Sequence, residues 1–374
     1  MRTQTLPAPG TGQPPIAPSE QRTATPVKWW AGAGAACLVL EAYILGAWLL
    51  SGPKRTPTGP TPVPTWMRWT VHGYESVGLV LAALFIHRFL IRPWRREGHI
   101  TQDGLLTLVF LTLYWQDLLM NYFQPWVVYN AEATNFGSWF GSVPGWNWPH
   151  GHQMMEPVVW VLPVYAYIMF GIPVFGCFIM RKANHRWPRL GKFGLAAVCF
   201  ASFVVFDLML EPGMMRLLGL FHYGGGIRWL TIFHGHYYQF PLYEAFWFPL
   251  LLTVWACLRY YRNDKGQLLA ERGIERLRID GWKRTGVRFL AYAGLFNLTF
   301  LLVYQVPLAL IGTKADTWPQ DIQQRSYFTN GLCGPGTSYA CPGPNVPIPR
   351  PDSAHLTPDG NLAVPPGTNL PKQK

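Results

Sequence analysis

Only 19 of the 374 residues are acidic, and several fall inside long apolar runs, where an ionised group is expensive and marks function by default. Asp117 follows Tyr114-Trp115-Gln116. Asn121 comes four residues later, on the same face if the run is helical. Asp207 and Glu211 are also four apart. Glu156 stands one turn after His152 and directly before Pro157, and Glu244 follows His234-Gly235-His236. Neighbouring carboxyls in a low-dielectric site cannot both ionise cheaply, so one can work as an acid while the other works as a base. Such a set suits acid–base chemistry on a lipophilic molecule: dehydration, cyclisation or isomerisation. The expectation is one cavity lined by Asp117, Asp207, Glu211 and Glu244, with Glu156 and His236 at its rim. The Asp207–Glu211 pair supplies the general acid, Asp117 the base, and His152 or His236 a proton shuttle. The plainer alternative is that Asp117 and Asp207 only bond Trp, Tyr and backbone groups to hold segments together. Glu41 and Glu75 lie apart from this set.

Two polar loops surround these residues. One runs Tyr129-Asn130 through Asn135-Phe136-Gly137-Ser138-Trp139 to Trp146-Asn147-Trp148. The other runs Phe221-His222-Tyr223-Gly224 to His234, His236, Tyr237 and Tyr238. Hydrogen-bonding groups interleaved with aromatics can form a lid over an amphipathic ligand. Trp115, Asn121, Asn135, Trp139 and Tyr237 are the expected substrate contacts, with an interfacial aromatic belt as the structural alternative. Asn297, Tyr304 and Gln305 can line the same cavity or bond neighbouring helices.

Two other functions compete with this one. The pairs His150-Gly151-His152 and His234-Gly235-His236 have ligand-type side chains, which keeps a metal-dependent lipid-modifying enzyme in view. However, the 10 histidines form no repeated His-x-x-x-His array. A non-catalytic lipid-binding receptor or transporter is the other, although a retinal-type pigment would need a lysine in 287–311. No nucleotide fingerprint is present, and neither a cofactor nor a metal is expected.

The elements that must carry these residues are membrane helices. The chain is 49% hydrophobic but only 13% charged, against about 25% charged residues in soluble domains. It has 18 Trp, 17 Tyr and 22 Phe, which suits a protein with two interfaces to anchor. Seven runs reach the length of about 20 apolar residues that a spanning helix needs: 30–51, 69–91, 104–124, 157–180, 192–211, 240–260 and 287–311. The expected fold is therefore all-α and polytopic, with about seven spans. It divides into a disordered tail at 1–28, a transmembrane domain at 29–312, an extracytoplasmic segment at 313–345 and a disordered, Pro-rich tail at 346–374.

The net charge of +12 suggests nucleic acid only until its distribution is read. The charges cluster in short loops on one side of the membrane: Arg92, Arg95 and Arg96; Arg181 to Lys192; Arg262 to Arg284. That pattern places these loops and the N-terminus in the cytoplasm and the C-terminus outside, with Lys54 and Arg55 in dissent. The expected partners are a lipophilic small molecule and membrane lipids, and no nucleic acid. Outside the cytoplasm, Cys333 and Cys341 are expected to form a disulfide, the alternative being two free thiols.

Several of these runs resemble the AveC-type spirocyclase family of membrane proteins. They are Tyr114-Trp115-Gln116-Asp117, Asn121-Tyr122-Phe123, Asn135-Phe136-Gly137-Ser138-Trp139 and Val143-Pro144-Gly145-Trp146, then Phe206-Asp207 with Glu211, Phe240-Pro241-Leu242-Tyr243-Glu244-Ala245, and the stretch Arg325-Ser326-Tyr327-Phe328-Thr329-Asn330-Gly331-Leu332-Cys333-Gly334. The family's named member closes a spiroketal in macrolide polyketide biosynthesis and can dehydrate its product. The resemblance implies a spirocyclase or dehydratase without a redox cofactor, set in a bacterial plasma membrane, and it transfers no residue roles.

Overall fold

The computed structural model describes residues 25–341, 354–366 and 368. Seven main helices run through them: α1 (Pro26–Leu50), α2 (Thr65–Glu97), α3 (Gln102–Leu111), α4 (Val158–Arg186), α5 (Pro188–Leu218), α6 (Glu244–Tyr260) and α7 (Gly281–Gly312). Five of them, all but α3 and α6, are long and apolar enough to cross a membrane. The chain is a helical, polytopic membrane protein, as its apolar runs predict. Their interior is aromatic: Phe110 of α3 packs on Trp255 of α6 and Phe296 of α7 at 4.9 and 5.1 Å between ring centroids.

The expected count of seven spans is met by five helices. With 17 residues, α6 extends about 25 Å, slightly less than the roughly 30 Å hydrocarbon core. The run 104–124 departs further. Its helix stops at Leu111 and is followed by two tight 3₁₀ turns, Tyr114–Gln116 and Leu119–Asn121. Between them Leu118 adopts a left-handed conformation, φ +54°. Side chains here compete with the helical backbone. Gln116 donates to Asn297 Oδ1 at 2.7 Å, and Asn121 Oδ1 accepts the amides of Trp126 and Val127. Asp117 and Asn121 therefore share no helix face, contrary to expectation.

The first and last helices lie backbone to backbone. A Cβ on Gly34 would sit 1.9 Å from the carbonyl oxygen of Leu290, and one on Gly294 would sit 2.1 Å from that of Trp30. Close packing of this kind holds helices together in lipid, where burial of apolar surface offers little drive. Gly294→Leu is expected to pry α1 from α7 and destabilise the protein by at least the 1–3 kcal/mol typical of overpacking. Gly46→Leu on α1, which faces open space, should be neutral. Thermal unfolding of the two variants in detergent checks this.

At one end of the bundle the loops 125–156 and 219–239 and the stretch 313–341 fold into a cap. Its centre is a two-stranded antiparallel ribbon of β1 (Val127–Tyr129) and β2 (Phe221–Tyr223), with Tyr129 opposite Phe221 and Val127 opposite Tyr223. The 313–341 stretch is tied down on both sides: Ala131 N donates to Tyr327 O at 2.9 Å, and Ser326 Oγ to Thr58 O at 2.8 Å. Cys333 and Cys341 form the expected disulfide. Of the two tails expected to be disordered, 1–28 and 346–374, residues 1–24 of the first and 346–353, 367 and 369–374 of the second lie outside the described residues, and the end of the first already belongs to α1, which begins at Pro26. Within the second tail, His355–Leu356 pairs with Leu362–Ala363 in a short antiparallel hairpin.

His222 on β2 pins this cap. Its ring packs against Trp318 and Phe328, and its Nε2 donates to Phe328 O at 3.3 Å. Burial pushes its pKa down to about 3, whereas an unfolded histidine titrates near 6.5. Below about pH 6.5 the unfolded chain takes up a proton that the folded cap refuses, so stability falls as pH drops toward 3 and is flat above 6.5. Thermal unfolding followed from pH 7 to pH 4 should show this decline, with a smaller slope in His222→Gln.

Candidate active site

Three helices that approach the cap carry a wide π turn: Tyr165–Met169 in α4, Met214–Leu218 in α5 and Leu301–Gln305 in α7. Each lies within a few residues of a proline (Pro163, Pro212 and Pro307), which removes a backbone donor and loosens the i→i−4 ladder. A π turn inserts a residue, re-aims the side chains that follow and recurs at functional sites. Here two of these turns carry Tyr165 and Tyr304, and both hydroxyls meet a carboxyl.

The five carboxyls of the expected site separate into two groups. In the first, Asp117 accepts from the phenols of Tyr129 at 2.6 Å and Tyr165 at 2.9 Å. Glu156 lies beside Asp117 and Tyr114, but it is fully buried and neither of its oxygens completes a hydrogen bond of proper geometry. The loop before α4 delivers it there by folding back on itself. Ser138 N donates to His152 O, Glu156 N to Gly137 O, and Asn135 bridges to Pro157. Glu156 is thus inside the site, where a rim position was expected. Asp117 alone of this pair keeps some accessible surface.

In the second group, Asp207 and Glu211 lie on one face of α5, and Glu244 opens α6. Tyr223 donates to Glu211 Oε2 at 2.6 Å, and Tyr304 donates to Glu244 Oε1. Both oxygens of Asp207 and Oε2 of Glu244 are buried without a partner. The first group therefore holds one carboxyl gripped by phenols beside one that completes no hydrogen bond, and the second holds two gripped by phenols beside one, Asp207, that completes none. Among the described residues, none of the five forms an ion pair with Lys, Arg or His.

Aromatic rings connect the groups along two routes. Tyr129 touches Phe221, which touches Tyr223, at 6.2 and 5.8 Å between centroids, all on one face of the β1–β2 ribbon. Tyr165 touches Phe300, which stacks on Tyr304, at 6.3 and 5.7 Å. The phenols that hold Asp117 and those that hold Glu211 and Glu244 thus belong to one continuous aromatic wall.

The remaining expected contacts are placed elsewhere. His236 is exposed and stacks on Tyr238 at 4.8 Å, away from the carboxyls. His152 is exposed and lines a separate surface cleft with Lys54 and Arg55. Asn121 and Asn135 are consumed by backbone: Asn135 Oδ1 accepts Thr56 N, while its Nδ2 serves the carbonyls of Ala131 and Ala133. Trp115 donates to Asn297 and Trp139 to Trp115 O. Tyr237 donates to Arg216 O in the cap. No three His, Cys, Asp or Glu side chains among the described residues converge as a metal site.

Sequence reasoning offered tyrosine bonding to Asp117 and Asp207 only as the structural alternative; Asp117 has such bonds and Asp207 has none, and the phenols on Glu211 and Glu244 were not foreseen. Their signal was available: a tyrosine buried among apolar residues almost always finds a partner for its hydroxyl, and the scarce buried acceptors here are carboxyls. The sequence profile of a family described as Spirocyclase AveC-like matches residues 94–328, a span that holds all five carboxyls and Tyr129, Tyr165 and Tyr223. No curated protein and no solved structure matches the chain.

Proposed function

The chain belongs to the AveC-like spirocyclase family, and from that footing we propose that it closes or dehydrates an oxygenated lipophilic chain, polyketide-like or lipid, by acid–base chemistry without a redox cofactor. The observation that carries this reading is the pairing, twice over, of a phenol-bound carboxyl with a partnerless buried one. Closing a spiroketal from a dihydroxy-ketone needs two protons delivered in turn to the ketone oxygen and one proton removed from each of the two hydroxyls as it adds. The former ketone oxygen leaves as water. In this scheme Asp207 is the acid, with Glu211 and Glu244 as its neighbours. Asp117, already an acceptor of two O–H bonds, takes protons from the attacking hydroxyls, and Glu156 beside it relays them. General acid–base steps of this kind contribute roughly 10²–10⁴-fold.

The test is incubation of purified protein with a dihydroxy-ketone, followed by mass spectrometry for the loss of one water. A receptor or transporter would retain its ligand and return it unchanged, and that outcome would overturn the enzymatic reading. The reading also carries an orientation: the basic loops at 92–96, 181–192 and 262–284 lie in the cytoplasm and the cap faces outside. Reporter fusions after Gly266 and at the C-terminal end should then report opposite sides.

A further inference from the structure

On the flank of the bundle, next to the carboxyl groups, runs a groove of about 410 Å³ between Leu40 of α1, Trp115 and Phe123 of the broken 112–124 segment, and Gln305, Ala309 and Leu310 of α7. Leu40 and Leu310 are exposed on spanning helices, so its mouth opens sideways toward lipid. Its lining is apolar apart from a few polar groups, of which one has an unmet need. Gln305 is 2% exposed; its Oε1 accepts from Met120 N at 2.8 Å, while its Nε2 has no acceptor. A donor shut away from water without an acceptor is costly, and the groove is the direction from which an acceptor can come. The inner wall is also the chain that carries the carboxyl site. Trp115 is two residues from Asp117, and Gln305 follows Tyr304, the donor to Glu244.

We propose that this groove takes the alkyl portion of the oxygenated substrate as it enters sideways from the bilayer, with a carbonyl or ether oxygen of that chain received by Gln305 Nε2. The proposal rests on the acid–base reading above and deepens it by naming where the lipophilic part of the substrate lies. It favours substrate over a resident lipid because the groove offers one isolated donor and no cationic or multiply polar rim for a headgroup.

The probe is a long-chain dialkyl ketone with an alkyl diazirine at one end, photolysed with the protein in phosphatidylcholine nanodiscs. Label should concentrate in the peptides covering 115–123 and 301–312 and be competed by the unmodified ketone, but not by additional phosphatidylcholine. Ala309→Trp, which fills the groove, should abolish this labelling. If that variant does not fold, Val306→Phe narrows the mouth from an exposed position and should reduce it likewise. Gln305→Leu should weaken labelling by the ketone probe about tenfold, the loss of one hydrogen bond, and leave an alkane diazirine of the same length unaffected. Label spread evenly over α2 and α5, or unchanged in Ala309→Trp and Val306→Phe, overturns the proposal. Competition by phosphatidylcholine alone assigns the groove to lipid and also overturns it. The labelling does not depend on turnover. Intact groove labelling with no loss of water in any assay sinks the enzymatic reading alone, whereas unchanged turnover and KM in Ala309→Trp sinks the groove alone.

Discussion

Asp207→Asn should lower the rate of water loss by 10²–10⁴-fold, the range for removal of a general acid or base, while Asp207→Leu should lower it as far and raise the unfolding temperature. The two effects point in opposite directions because of how Asp207 is placed. It is fully buried on α5, and neither carboxyl oxygen meets a donor. A carboxyl that held helices together would be bonded, and its loss would loosen the bundle. An unpartnered polar group in such a place costs about 1–3 kcal/mol, so a leucine, which has the same branched skeleton although it is bulkier, should return part of that cost to stability. Asparagine keeps the shape and the cost but cannot deliver the proton. Sites that trade stability for activity behave in this way. The measurement is paired: turnover by mass spectrometry and thermal unfolding in the same detergent. A fall in unfolding temperature with turnover unchanged would return Asp207 to a structural role.

Much of this arrangement can be read from sequence, and the unreadable part has physical causes. A run of 20 apolar residues decides for a spanning helix wherever it occurs, so α1, α2, α4, α5 and α7 follow from hydropathy alone. The run 104–124 is apolar in its first half but carries Gln116, Asp117, Asn121 and Gln124 in its second, and its helix ends at Leu111. There the decision rests with Gln116 and Asn121, whose amides find better partners in Asn297 and in the backbone of Val127 at the start of β1. Hydropathy averages cannot register such competition. The carboxyls were legible by their cost in an apolar setting, and Asp207 and Glu211 by their four-residue spacing. The depth of Glu156 was not, because it depends on the loop from Asn135 to Pro157 doubling back. His236 was expected at the rim of the same cavity as Glu244, but the turn between them leaves it stacked on Tyr238 at the surface. Tyr165 and Tyr304 were hidden by the π turns, whose only trace in the sequence is a nearby proline, and Tyr129 and Tyr223 by the pairing of β1 with β2.

The double variant Asp117→Asn/Asp207→Asn should be about as slow as the worse of its two parents. Each single change is expected to cost 10²–10⁴-fold, so two independent sites would multiply to roughly 10⁴–10⁸. An acid and a base that act in one step form a unit, and once either is lost the other has little left to contribute. The structure gives reason to expect a unit from residues that lie in separate segments. Tyr129 and Tyr223 stand on one face of the same ribbon, and Tyr165 reaches Tyr304 through Phe300 alone. A substrate seated along that aromatic wall, as proposed above, would meet Asp117 and Glu156 on one side and Asp207, Glu211 and Glu244 on the other. Spiroketal closure makes matching demands, since the ketone that accepts a proton and the hydroxyls that surrender theirs are on one molecule and must be served together. Tyr165→Phe supplies the control. It removes one donor from Asp117 and leaves the carboxyl in place, so it should cost far less than Asp117→Asn in the parent and nothing further in Asp207→Asn. Fully multiplicative losses in the double variant would mean two separate sites, and the Asp117 group would then need a function of its own.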